Sequence, residues 1–141
     1  MPGWRVIKQG DRDSEESTAV YKVQALLRHR GFNLAADQIF GPVTAQKVRE
    51  FQASKRLTVD GVVGEQTWPA LIVTVALPDT GEAVKAVQSQ FLELVRDGIF
   101  GPKTDNAVRT FQDWVHIAVD GIVGPVTWKA MVGSRVVDTP V

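Results

Sequence analysis

Apolar residues recur at helical spacing in six stretches of the chain. Val20, Val23 and Leu27 sit at i, i+3 and i+7, one face of a helix. Val84, Val87 and Phe91 repeat that face later in the chain. A second kind of helix carries Val48, Phe51 and Lys55, and again Ala107, Val108, Phe111 and Val115. A third, short kind carries Trp68, Leu71 and Ile72, and again Trp128, Met131 and Val132. Gly31 stands where a helix C-terminus favours glycine. The pattern predicts an all-α chain of three helices occurring twice.

The repeat is explicit in the residues. From Asp37 to Leu71 the chain aligns without a gap with Asp97 to Met131. Upstream, V-Y-K-V-Q-A-L-L from Val20 matches V-K-A-V-Q-S-Q-F from Val84 at a larger offset, so the first copy carries a longer connection around R-H-R-G-F-N-L-A-A. The division expected is residues 1–72, with an N-terminal tail, and 73–141, with a C-terminal tail. The junction I-V-T-V-A-L-P, from Ile72, is apolar and short, unlike a Gly/Ser tether. A bundle of about sixty residues buries a marginal core alone. The two bundles are therefore expected to pack together as one rigid unit.

One octapeptide pattern occurs four times: D-Q-I-F-G-P-V-T from Asp37, D-G-V-V-G-E-Q-T from Asp60, D-G-I-F-G-P-K-T from Asp97 and D-G-I-V-G-P-V-T from Asp120. Its grammar is that of a helix start. Proline presets φ and lacks an N–H, which suits the first turn. The glycine before it serves as the cap residue. Asp-Gly is a turn signal, and the carboxylate can accept backbone N–H groups of the turn or of the helix start. The two apolar residues in the middle are expected to bury and pin the loop. Gln38 in place of Gly argues that its turn does not require positive φ, or strains to reach it. Glu65 in place of Pro puts a carboxylate in a first turn, where the dipole favours it. The pattern predicts short extended segments before the second and third helices of each bundle.

Composition and charge narrow the function classes. The 141 residues are 44% hydrophobic and 23% charged, ordinary for a folded domain. Sixteen basic residues balance sixteen acidic ones, which disfavours nucleic acid as a partner. There is no cysteine, so disulfides, thiolate metal sites and cysteine nucleophiles are excluded. No apolar run suggests a membrane span. The N-terminal M-P-G-W-R-V-I-K-Q-G-D lacks an apolar signal-peptide core. That leaves cytoplasmic placement, a non-standard export route, or prior removal of a leader.

Catalytic chemistry is hard to find. The octapeptide offers one carboxylate followed by apolar residues, which does not meet the alternating oxygen ligands of a calcium loop. His29 and His116 are the two histidines, without H-E-x-x-H or equivalent spacing, and read as exposed side chains at helix ends. No G-x-S-x-G elbow occurs. The expectation is no catalytic residue, no metal and no cofactor.

The ordered run V-x-x-V-Q, D-G-I-F-G-P-K-T-x-x-A-V-R-x-F-Q and V-D-G-I-V-G-P-x-T-W resembles the small three-helix peptidoglycan-binding domain found beside bacterial and phage cell-wall hydrolases. The resemblance covers essentially the whole chain as two copies. It implies a non-catalytic module that binds glycan and stem peptide in a shallow groove, in the cell wall or periplasm, with a wall hydrolase or other protein as a further partner. A protein–protein adaptor built on the same bundle is the alternative.

Candidate binding residues follow from the chemistry of that ligand. Trp114 aligns with Ser54, so the repeat does not demand an aromatic there. It reads as a stacking platform or an extra packing residue. Trp68 and Trp128 open the third helices, as core residues whose edges can line a groove. Arg49 and Arg109 can hold a ligand carboxylate or a local aspartate. Gln112, like Gln52, can bond the loop backbone or a ligand amide. Trp4 is a candidate cap over the bundle. Trp128, Arg109 and Trp114 are expected to line any groove, with the octapeptide itself left structural.

Overall fold

The computed structural model describes residues 3–137. Six helices follow one another: α1 Ala19–His29, α2 Pro42–Ser54, α3 Thr67–Leu71, α4 Glu82–Gln88, α5 Pro102–Trp114 and α6 Pro125–Gly133. The chain is all-α, as two three-helix units, with no strand among the described residues. The C-terminal tail beyond Val137 lies outside the described residues.

Three of the four octapeptides start a helix as the sequence predicts. Gly41, Gly101 and Gly124 are extended cap residues with φ near −100°, each followed by Pro at the first helical position. Their carbonyls accept the first intrahelical bonds, from Ala45, Asp105 and Trp128 at 2.9–3.0 Å. The fourth departs. Glu65 replaces the proline, α3 begins at Thr67, and the carboxylate instead takes the Trp4 N–H at 2.7 Å.

A buried glutamine from the preceding helix holds every octapeptide. The Gln112 Nε2 donates to Asp120 Oδ1 (3.0 Å), to the Ile122 carbonyl (3.1 Å) and to Thr127 Oγ1 (3.1 Å). Its Oε1 accepts the Asp120 and Gly121 N–H groups at 3.1 and 3.0 Å. Gln52 does the same for Asp60, Val62 and Thr67. Gln24 does so for Asp37, Ile39 and Thr44, and Gln88 for Asp97, Ile99 and Thr104. The Asp carboxylate also accepts the N–H two residues on, so it closes the turn rather than capping the helix.

One expectation about the loop is corrected, and the two alternatives for Gln38 are resolved. Only the second apolar residue is buried: Phe40, Val63, Phe100 and Val123 enter the core, while Ile39, Ile99 and Ile122 stay exposed. Extended backbone turns successive side chains to opposite sides. Gln38 does adopt positive φ, at 70°, matching Gly61, Gly98 and Gly121 at 73–75°. The Gln24 side-chain Oε1 needs the N–H at this position, and it accepts that of Gln38 at 2.9 Å. A left-handed non-glycine residue costs about 1–2 kcal/mol, and the Gln38 Oε1 in turn accepts Arg96 Nη1 of the second unit at 3.1 Å.

α1 runs past Gln24 to His29, whereas α4 stops at Gln88. The shorter connection of the second copy removes about one helical turn. Phe91, expected on the α4 face, lies beyond the helix and bridges Val137. Arg30, just past α1, donates to the carbonyls of Ala70, Leu71 and Ile72 and so caps α3.

The N-terminal residues are not a tail. Ile7 bridges Val63 as Val75 bridges Val123. The Asp11 carbonyl accepts Phe40 N–H as that of Asp79 accepts Phe100 N–H, both at 2.9 Å. Residues 5–13 are thus to the first unit what the junction, residues 73–81, is to the second. Trp4 does cap the bundle, stacked on Trp68 with ring centroids 6.0 Å apart.

α1 packs on α4 as well as on α2 and α3. It is consequently buried on all sides from Ala19 to Leu27, including Lys22. The Lys22 Nζ donates to Thr18 Oγ1 and, at 3.0 Å, to Gln90 Oε1 of the second unit. Thr18 also meets Ser89, Arg28 pairs with Glu82 at 3.4 Å, and Arg96 lies 4.4 Å over the Tyr21 ring. The two units share one continuous core.

Two consequences are testable. Gln112→Met leaves buried loop donors and acceptors unpaired, and is expected to lower unfolding free energy by about 3 kcal/mol in urea denaturation. A loss under about 1 kcal/mol contradicts the role given to Gln112. Burial brings Lys22 from 10.5 down to about 7, against the opposing pull of Asp13. The unfolded chain then holds that proton between about pH 7 and 10.5 while the folded chain does not. Stability should rise with pH across this window, by up to about 1.4 kcal/mol per unit. In Lys22→Met this contribution should vanish, leaving a flatter curve of stability against pH than in the parent chain.

Candidate functional site

The octapeptides starting α3 and α6 each border a surface groove. In the first unit, Thr58, Asp60, Val62, Gly64, Gln66 and Thr67, with Val6 and Glu65, enclose about 270 Å³. In the second, Ala118, Asp120, Ile122, Gly124, Val126 and Thr127, with Ile117 and Pro125, enclose about 250 Å³. The two linings match position by position at the repeat offset. The octapeptide itself therefore lines the grooves, and Trp128, Arg109 and Trp114 do not. In these two grooves the lining therefore differs from the expected one.

A larger cleft of about 580 Å³ adjoins the second groove, sharing Ile117 and Val126 with it. Val115 and Ile117 beyond α5, Val126 and Ala130 of α6, and Gly3 of the N-terminal segment give it an apolar floor. Arg5 and Lys129 supply two cations; no carboxylate is among its lining side chains in the described residues, and the Glu65 carboxylate behind Gly3 is engaged by the Trp4 N–H. Neither cation forms an ion pair among the described residues. The site is asymmetric in the repeat. At the corresponding places the first unit has Lys55 for Val115, Gln66 for Val126 and Pro69 for Lys129.

The candidate residues divide by burial. Trp68 and Trp128 have 0% exposure, and their indole N–H groups donate at 2.7 Å to the Arg5 and Val73 carbonyls. They fix the two extended segments and present no edge to solvent. Gln112 is also at 0%, with its amide consumed by the octapeptide. Arg109 pairs with Asp105 at 3.0 Å, and its guanidinium lies over the Gly121 turn, where an added Cβ would come within 2.9 Å of Nη2. Arg49 covers Gly61 similarly and bonds Gln46. Trp114 stands apart: it is 57% exposed at the end of α5, tilted against Phe111, immediately before Val115 of the cleft.

The electrostatics of the octapeptides are those of a structural turn. The N–H of Ile122 and the Gln112 amide hold the Asp120 carboxyl below its ordinary range, with Arg109 adding to the effect. The N–H of Ile99 and the Gln88 amide do the same for Asp97. Both are settled as anions by the loop and have no raised proton affinity to use as acids. No group of three His, Cys, Asp or Glu side chains among the described residues is arranged to hold a metal. His29 and His116 are exposed. No helix of the described residues is long and apolar enough to cross a membrane.

The family model of the putative peptidoglycan binding domain matches residues 16–71 and 80–131. The chain belongs to that family, as two tandem copies. The matched residues run from just before α1 to within α6, and they contain all four glutamine-held octapeptides. The N-acetylmuramoyl-L-alanine amidase CwlM of Mycobacterium tuberculosis is 31% identical over 92% of this chain and 38% of its own length. The zinc D-Ala-D-Ala carboxypeptidase of Streptomyces albus G is 34% identical over 68% of this chain and 39% of its own. The solved SleB N-terminal domain is 32% identical, with a TM-score of 0.43, covering 48% of this chain and 89% of that domain. The chain spans under half the length of the two enzymes. As a peptidoglycan-binding module of two copies it belongs with cell-wall-associated proteins.

The sequence reading missed Arg5 and Lys129, which flank the cleft, because neither sits in the repeated motif. Their signal was the loss of repeat identity at Lys129 beside otherwise matched residues. Trp128→Phe deletes the indole N–H bond to Val73 and part of a filled core site. It is expected to cost about 2 kcal/mol in thermal or urea unfolding. Trp114→Ala, at an exposed site, should cost less than about 1 kcal/mol in the same measurement.

Proposed function

We propose that the chain is a non-catalytic module that attaches to bacterial peptidoglycan at the cell wall, through the cleft beside α6. The observation that carries the reading is the chemistry of that cleft: an apolar floor and two cations that form no ion pair among the described residues. Peptidoglycan presents sugar faces, N-acetyl methyl groups and stem-peptide carboxylates. Sugar and methyl groups suit the floor of Val115, Ile117, Val126 and Ala130. Carboxylates suit Arg5 and Lys129. Trp114, exposed next to Val115, offers a stacking face at the rim. The chain's matched residues are accounted for by a binding family, and Asp97 and Asp120 of the octapeptides are held as anions by loop N–H groups and the glutamine amides, a structural use of these carboxylates.

Co-sedimentation with purified sacculi tests this. The chain is expected to pellet with sacculi and to release no soluble fragments from labelled wall. Trp114→Ala should weaken the association about threefold or more. A chain that stays in the supernatant overturns the reading, and unchanged binding by Trp114→Ala removes that residue from the rim.

A further inference from the structure

We infer that the tandem carries one composite ligand site rather than two equivalent ones, and that this site selects stem peptides bearing free carboxylates over their amidated forms. The inference rests on the peptidoglycan reading and deepens it. The cleft draws on both units at once. Arg5 and Gly3 belong to the segment whose carbonyl at Arg5 takes the Trp68 N–H, so they are fixed to the first unit. Trp4, between them, is fixed there too, by its stack on Trp68 and by its N–H bond to Glu65. Val126, Lys129 and Ala130 lie on α6 of the second unit.

The first unit cannot build a copy of this site from its own residues. Lys55 and Gln66 replace two apolar floor residues with polar ones, and Pro69 replaces the cation Lys129. The narrow grooves recur in both units, but each carries an aspartate that repels an anion, Asp60 in one and Asp120 in the other. The composite cleft carries two cations, and the one carboxylate at its edge, Glu65, is engaged by the Trp4 N–H, so this is the place where charge complementarity favours an anionic ligand. Amidation of a stem-peptide carboxyl removes the charge that Arg5 and Lys129 meet while keeping size and shape nearly constant. Selectivity for the free acid follows from that difference alone.

Calorimetric titration of the full chain with two soluble muropeptides tests the inference: a disaccharide-peptide with free carboxylates, and the same molecule with its side-chain carboxyls amidated. The expected stoichiometry is one ligand per chain, with the acid bound about three- to tenfold tighter than the amide. The double variant Arg5→Gln/Lys129→Gln should bind both forms equally weakly while keeping its melting temperature, since both side chains reach solvent. Val126→Gln, which installs the residue of the first unit, should weaken both forms alike. Two ligands per chain, equal affinity for acid and amide, or a preference that survives in the double variant each overturns it. If neither muropeptide binds although the chain sediments with sacculi, the composite site is wrong and wall attachment stands. If the chain fails to sediment, the underlying reading fails first.

Discussion

Four buried carboxamides set the terms for this fold. A glutamine side chain has two N–H donors and a carbonyl with two acceptor sites, and leaving such groups unpaired in a core costs about 1–3 kcal/mol each. Gln24, Gln52, Gln88 and Gln112 are all buried, so each needs a complete set of partners. The octapeptide is that set. Its Asp supplies an acceptor, its third residue a carbonyl, its Thr a hydroxyl, and its second residue an N–H. The N–H can be aimed at the amide oxygen only with positive φ, which explains glycine at three sites and a left-handed Gln38 at the fourth. Once the loop is held, its fourth residue points into the core, and the Gly-Pro pair leads straight into a helix.

The same logic joins the copies. α1 is covered by its own unit on one side and by α4 on the other, so the second copy completes the first copy's core. The contact accommodates the Lys22 amine in the seam because Thr18 and Gln90 accept its hydrogen bonds, while burial lowers its proton affinity. A junction with no slack then places α6 beside the N-terminal segment, and the cleft lies where the two meet. The cleft therefore belongs to the assembly of repeats rather than to either one. The surfaces that differ between copies, around Val115, Val126 and Lys129, are the ones that form the cleft.

Much of the fold was legible in the sequence because its signals are local. Gly-Pro before an apolar-periodic run marks a helix start whatever surrounds it, and a gapless alignment of the two halves makes the repeat unmistakable. What stayed hidden was long-range. The glutamine partners sit at separations of 13, 8, 9 and 8 residues from their aspartates, so no fixed spacing advertises them. Arg5 to Ile7 and Val73 to Val75 perform one job with almost no shared residues, since what matters there is a carbonyl and an extended backbone. The candidate site was less legible still. Repetition drew attention to Trp68, Trp128 and Gln112, but a residue repeated by the fold's own demands is one the core consumes. Trp114, singled out because it breaks the repeat, stays at the surface, one residue before Val115 of the cleft.

Native-state amide hydrogen exchange measures the central claim most directly. If the glutamines lock the octapeptides into the framework, the N–H groups of Gln38, Gly61, Gly98 and Gly121 should exchange only through global unfolding. Their opening free energies should equal those of core helix amides such as Val23, Val48, Val87 and Val108, and should be the same in both copies. Exchange of the loop amides through low-energy local openings, or different global values for the two copies, would contradict the account.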